Sequence, residues 1–251
     1  MKFLRPALAA LLFLVLVPAL WPVELTVFAA ASLSDALREI APLYQKASGN
    51  TLRFNFGASG ALSRQIKEGA PADVIFSADE LRLDQLEKDG LLAAGTRRTL
   101  LTNTLVLVVA ADGGAAVATL ADLDKPEVRR IAIGDPATVP VGTYTKEYLQ
   151  KTGGWTRLSA KMVPLESVRA ALAAVESGNA DAGFVYKTDA LISRKVRVAL
   201  AVAPSEGPRI NYPVAVVKGS GSQEAAANLV GYLAGAEACR VFEKYGFALA
   251  K

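Results

Sequence analysis

The sequence predicts an α/β chain of two lobes, with mostly parallel sheets flanked by helices and a ligand cleft between the lobes. Three observations carry this expectation. Short β-branched or apolar runs alternate with amphipathic helical stretches, the pattern of parallel strands covered on both faces. Two strongly apolar runs, Leu105 to Ala110 (LVLVVA) and Pro213 to Val217 (PVAVV), interrupt that alternation and lie beside joints near Leu100–Leu105 and Ala201–Pro213. The 251 residues suit one or two units of roughly 100–200 residues, and 52% hydrophobic against 21% charged residues excludes disorder as the overall state.

Taken in order, residues 1–23 read as an export signal. Lys2 and Arg5 are followed by an uncharged Leu-, Val- and Ala-rich run from Pro6 to Val23. Cleavage is expected after Ala19, with an uncleaved anchor as the other reading, because the run approaches the length of a membrane span. Both readings put the body of the protein outside the cytoplasm. Glu24 to Ala31 reads as a buried strand, and Ser32 as the N-cap of a helix ended by Gly49-Asn50. Thr51 to Phe56 is a strand, Gly57 to Gly60 a tight turn, and Ala61 to Lys67 a helix with Ser59 near its cap. Asp73 to Ser77 is a strand, followed by a helix from Ala78 to Lys88. The second lobe contains Leu105–Ala110, a loop at Asp122–Pro126, a strand at Ile131–Gly134, and a helix from Gly142 to Lys151. It continues with a short strand at Val163–Leu165, a helix from Ser167 to Ser177, and strands at Ala182–Tyr186 and Val196–Val202. Helices at Gln223–Leu233 and Ala236–Tyr245 close the chain. The expected division is 24–102 plus 203–251 for lobe 1 and 103–202 for lobe 2.

Composition limits the chemistry. The chain has no histidine, which excludes a His-based triad, an imidazole base and His-ligated metal. Cys239 is the single cysteine, so an internal disulfide and a thiolate cluster are excluded as well. It is expected in the core, on a helical stripe with Ala236 and Phe242. Catalysis by Lys, Ser or carboxylates and a carboxylate-bound metal stay open on this count. The net charge of +4 is small, and basic residues alternate with acids, as on a solvated face. No phosphate-tracking stripe is present, so no nucleic-acid partner is expected.

The candidate site consists of helix starts. Ser32, Ser59, Val141-Gly142 and Ser167-Val168 each stand where a strand hands over to a helix. Such an end presents unpaired N–H groups and about half a positive charge, an anion site that needs no Lys or Arg. Hydroxyls of Ser32, Ser59 and Tyr186 complete a donor shell. The competing reading is ordinary caps that bind nothing, with Tyr186 as a buried structural phenol.

Ordered blocks along the chain then carry a resemblance. They include Thr26-Val27-Phe28-Ala29-Ala30-Ala31-Ser32-Leu33, Phe56-Gly57-Ala58-Ser59-Gly60-Ala61-Leu62, Gly69-Ala70-Pro71-Ala72-Asp73-Val74, and Val139-Pro140-Val141-Gly142-Thr143-Tyr144. Further blocks are Val168-Arg169-Ala170-Ala171-Leu172, Gly183-Phe184-Val185-Tyr186, and Phe242-Glu243-Lys244-Tyr245-Gly246-Phe247. From about Glu24 to Phe247 the chain resembles the bacterial periplasmic molybdate-binding proteins of ATP-binding-cassette importers.

The resemblance implies a type II periplasmic binding protein fold and a periplasmic or otherwise extracytoplasmic location. It implies a ligand, molybdate or tungstate, held by two serines, two backbone amides and a tyrosine, which fall on Ser32, Ser59, Val141, Val168 and Tyr186. It also implies delivery to a membrane permease, with no cofactor and no bare metal cation, by a monomer that is not an enzyme. Val141 replaces an alanine common in relatives, and the turn at Phe56–Gly60 has fewer hydroxyls than serine-rich relatives. Binding of sulfate or another tetrahedral oxyanion is the alternative. A regulator's sensing domain would need a DNA-binding segment where the export signal stands. A hydrolase would need a Ser–Lys pair or a carboxylate dyad at the cleft. Asp73 and Asp79 are expected to cap helices, and Arg64 and Arg169 to pair at the surface or between lobes.

Overall fold

The computed structural model describes residues 22–250, so the expected export signal, apart from Pro22 and Val23, and the expected cleavage after Ala19 lie outside the described residues. The chain opens with β1 (Glu24–Ala30), α1 (Ser34–Ser48), β2 (Thr51–Gly57), α2 (Ser59–Lys67), β3 (Val74–Phe76), α3 (Glu80–Lys88) and β4 (Arg98–Asn103). β5 (Leu105–Ala110), β6 (Ile131–Gly134), α4 (Pro140–Lys151), α5 (Gly154–Leu158), β7 (Met162–Leu165), α6 (Val168–Glu176), β8 (Ala182–Tyr186), α7 (Lys187–Leu191) and β9 (Val196–Ala201) follow. β10 (Ile210–Val216), α8 (Gln223–Leu233), α9 (Ala236–Lys244) and β11 (Ala248–Leu249) end it.

Two sheets result. One is ordered β11-β4-β10-β3-β1-β2 and the other β7-β6-β8-β5-β9. The chain passes from the first sheet to the second at Thr104, between β4 and β5, and returns between β9 and β10. The two-lobe α/β arrangement is as expected, but the sheets are mixed rather than mostly parallel. β1 pairs in parallel with β2 and β3, and β6 with β7 and β8. β5 and β10 are antiparallel to all their partners. The reason is mechanical. β5 and β10 carry the chain into a lobe from the crossing, so they run away from the cleft, while their neighbours point their carboxyl ends toward it.

Burial follows the sequence pattern. β8 is buried at every residue and β5 at all but Ala110, as strands covered on both faces require. α1 turns Ala36, Leu37, Ile40 and Tyr44 inward at helical spacing, and Gly49 ends it in the left-handed region at φ 78°. α3 begins later than the pattern suggests, because Asp79 caps it by accepting a bond from Arg82 N at 3.1 Å. β4 occupies a stretch that the sequence pattern marks only as a joint. Of its residues only Leu101 is fully buried, so its alternation is weak. The Asp122–Pro126 loop instead contains a 3-10 turn over Leu120–Asp124 that buries Leu123.

Two other expectations are corrected. Ser32 is no N-cap: it sits inside a 3-10 turn, Ala31–Leu33, and Leu33 holds the cap position of α1 without a side-chain bond. Cys239 is half-buried rather than in the core, since α9 turns Ala238, Val241 and Phe242 inward and leaves the thiol at the edge of that stripe, 3.6 Å from Ala234 O. Among the described residues no helix is long and apolar enough to cross a membrane.

Candidate functional site

The starts of four helices, two from each lobe, meet at one small cavity. Ser32 lies in the 3-10 turn that leads into α1, and Ser59 is the first residue of α2. Val141 is the second residue of α4, after Pro140, and Val168 the first of α6, whose cap Ser167 accepts from Ala170 N at 3.1 Å. Tyr186 ends β8. All five residues singled out from sequence line this cavity. It is narrow, far below the about 300–1,000 Å³ of sites for drug-sized ligands, and so has room only for a compact ion.

Its electrostatics come from dipoles. Among the described residues, those lining the cavity include no Asp, Glu, Lys or Arg. First-turn amides such as those of Val141 and Val168 have no intrahelical acceptor, and the converging helix ends are partially positive. Gly142 lets α4 start this close to the end of β6: a Cβ there would stand 1.9 Å from Gly134 O.

The side-chain donors have defined surroundings. Ser59 Oγ accepts a bond from Ala78 N at 2.9 Å, which leaves its O–H for the cavity. Ser32 Oγ lies 3.0 Å from Tyr212 Oη. The Tyr186 hydroxyl is buried and makes no hydrogen bond to another described residue. Burial holds its pKa well above the ordinary value, so it remains a neutral donor. A fully buried hydroxyl without a partner costs about 1–3 kcal/mol, a cost that an acceptor in the cavity would remove.

Nearby carboxylates are turned to other work. Asp79 caps α3, also accepts from Ser77 Oγ at 3.2 Å, and has its pKa raised by burial. Asp189 is buried, accepts from Tyr186 N at 3.3 Å, and stands 2.9 Å from Arg169 Nε as an ion pair without hydrogen-bond alignment. Burial pushes its pKa up to about 6, against the pull of Arg169. Asp73 does not cap a helix: it ties Thr26 N at 2.7 Å to Ser220 Oγ at 2.5 Å. Among the described residues no three His, Cys, Asp or Glu side chains gather as a metal-binding group.

The lobes touch beside the cavity. Gly60 N donates to Thr138 O at 3.1 Å, Arg82 Nη2 to Ala137 O at 2.9 Å, and Tyr144 Oη to Ala78 O at 3.3 Å. Arg169 on α6 reaches Asp35 on α1 at 2.6 Å, the interlobe pairing expected of it. Arg64 lines a separate basic depression with Lys67 and Arg82. Tyr212, Asn103 and the Ala78 amide are the neighbours of the donors that sequence reasoning did not single out. Tyr212 carries a faint signal, a tyrosine inside an apolar strand next to a crossing.

Known proteins match this arrangement along nearly the whole chain. The family described as bacterial extracellular solute-binding protein matches residues 25–248. The molybdate-binding protein ModA of Escherichia coli (strain K12) is 40% identical over 233 residues, covering 90% of this chain and 89% of that protein. ModA of Haemophilus influenzae (strain ATCC 51907 / DSM 11121 / KW20 / Rd) is 36% identical over 230 residues, with 90% of each chain covered. The solved periplasmic molybdate-binding protein of Azotobacter vinelandii superposes with a TM-score of 0.81 at 27% identity, over 91% of this chain and 100% of that one. With two lobes closed on a cavity of helix starts, and with these relatives, the chain belongs to the bacterial extracellular solute-binding proteins.

Proposed function

We propose that this chain captures molybdate or tungstate outside the cytoplasm and delivers it to the membrane permease of an ATP-binding-cassette importer. The observation that carries the reading is the uncharged, donor-rich cavity. It offers hydroxyls from Ser32, Ser59 and Tyr186 and first-turn amides at Val141 and Val168. Molybdate and tungstate near neutral pH are tetrahedral dianions with acceptors on every oxygen and no proton to give, so a shell of donors satisfies them. A protonated anion such as hydrogen phosphate needs an acceptor. Without one its O–H is left unpaired, at about 1–3 kcal/mol. The oxyanion is cargo here, and its binding needs no cofactor.

Closure of the lobes is the signal to the permease. In this reading the mature protein works in the periplasm after removal of its N-terminal segment, as a monomer. The names of the ModA relatives support the ligand, and the extracellular solute-binding family supports the location.

A thermal-unfolding panel with molybdate, tungstate, sulfate and phosphate tests the reading. At about 1,000 times Kd the bound ion adds roughly 4 kcal/mol to stability. Molybdate and tungstate are expected to raise Tm and phosphate to leave it unchanged. No rise with molybdate or tungstate would refute the proposal, and a larger rise with sulfate would transfer it to that anion.

A further inference from the structure

The hydrogen bonds behind Ser32 have a direction, and it can be read. Asn103, the last residue of β4, uses its Oδ1 to accept from Thr104 N at 2.9 Å. That bond orients the amide, so Nδ2 is the atom that faces Thr188 Oγ1 at 2.9 Å and Tyr212 Oη at 3.2 Å. An amide nitrogen only donates, so Tyr212 accepts from Asn103. Tyr212 is fully buried, and its own proton needs an acceptor. Ser32 Oγ, 3.0 Å away, is the one that its contacts supply. Burial also raises the Tyr212 pKa, which keeps that proton in place. Ser32 therefore accepts from Tyr212, and its own O–H is left to point elsewhere, with the cavity as its open side.

We infer that Asn103 is a positioning residue that acts through Tyr212 to fix Ser32 as a hydrogen-bond donor toward the cavity, and thereby sets the preference for proton-free over protonated oxyanions. The inference rests on the oxyanion reading above and adds the group that enforces it. On the other serine the Ala78 amide does the same work by filling an acceptor position of Ser59 Oγ. Two local features place the relay. Tyr212 stands immediately before a register shift in β10 at Tyr212/Pro213, where a bulge can re-aim a side chain and where a proline without an N–H is tolerated. Asn103 precedes the crossing at Thr104 and bonds to both lobes, to Tyr212 of β10 and to Thr188 of α7.

The test reverses the relay. Asn103→Asp keeps the shape and the acceptor for Thr104 N but replaces the donor facing Tyr212 by an acceptor. The Tyr212 proton then turns toward the new carboxylate, Ser32 donates to Tyr212, and the cavity meets a serine lone pair. Affinities for molybdate and for inorganic arsenate are measured at pH 8 by calorimetry, arsenate in competition with molybdate. Both are dianions there, so repulsion by the added charge cancels in their ratio, while arsenate alone retains a proton. The molybdate-to-arsenate ratio is expected to narrow at least about tenfold, the factor for one buried unpaired group. Equal losses for both ions, or an unchanged ratio, overturn the inference. Should Asn103→Asp fail to fold by circular dichroism, Tyr212→Phe carries the test. It keeps the ring that packs edge-on against Tyr186 and Phe247 and frees the Ser32 lone pair, so the ratio should narrow in the same direction, and an unchanged ratio again overturns the inference. If the wild-type protein binds neither molybdate nor tungstate, the functional reading fails first, and separately.

Discussion

The two walls of the cavity solve one problem with different materials. Lobe 1 presents side-chain hydroxyls, Ser32 and Ser59, whose oxygens are already engaged by Tyr212 and by the Ala78 amide. Lobe 2 presents the first turns of α4 and α6 and a phenol, Tyr186, with no bond of its own to another described residue. Lobe 1 is thus pre-oriented by its own hydrogen bonds, whereas in lobe 2 the helix backbone does the orienting. The difference predicts that lobe 1 is the wall that point mutation can disarm. The backbone donors of lobe 2 survive side-chain replacement.

The largest effect is expected where neither wall is altered but their meeting is. A Cβ on Gly60 would stand 2.4 Å from Thr138 O, a backbone atom of the other lobe that cannot swing away. Gly60→Ala should lower oxyanion affinity at least about a hundredfold, equivalent to about 3 kcal/mol, while the unliganded protein keeps its fold because alanine favours a helix. Calorimetry and circular dichroism check both halves, and undiminished affinity would show that this seam is not needed for capture.

Removing one hydroxyl comes next. Ser32→Ala and Ser59→Ala should each cost about 1.5–3 kcal/mol of binding, the range for a bond to a charged group, without unfolding the chain. If both leave molybdate affinity unchanged, lobe 1 is not a donor wall at all. An intermediate effect, on stability rather than affinity, concerns the ion pair behind the lobe 2 wall. Asp189 has an ordinary carboxylate value of 3.8 when unfolded and is pushed up to about 6 when folded. Between those values the folded chain binds the extra proton, so wild-type stability falls relative to Asp189→Asn as pH rises from about 4 to about 6. Urea titrations across that range measure the difference, and a slope of the opposite sign would mean that Arg169 dominates over burial. The smallest effect is Val141→Ala, expected within about threefold in affinity, because the amide remains. A larger loss would show that the valine side chain shapes the pocket.

The same contrast explains what was legible in the sequence. Helix starts were readable because their signals are local: a strand, a small or hydroxyl residue, then helical spacing, as at Ser59 and at Ser167-Val168. The alternation of elements and the two crossings were readable from apolar runs such as Leu105–Ala110. Ser32 was harder, because a 3-10 turn and a cap begin with the same residues and only the partner at Tyr212, 180 positions away, tells them apart. β4 was missed because its pairing with β10 and β11, not its own pattern, makes it a strand. Sheet direction was misjudged for the same reason, since β5 and β10 take their direction from the crossing. Asn103 was out of reach, because its meaning is a hydrogen-bond direction, and that appears only once three distant segments meet.

The place of β10 has a consequence for how the chain is made. It lies between β3 and β4 in its sheet, yet it is encoded more than 100 residues after either of them. β4 therefore has no neighbour on that side while the chain is still emerging, whereas the other sheet is complete once Ala201 has appeared. The later-encoded lobe can assemble first, and the amino-terminal lobe must wait for it. Closing pairs of such wide sequence separation is slow, so the amino-terminal sheet is the one whose completion depends on the last-made part of the chain.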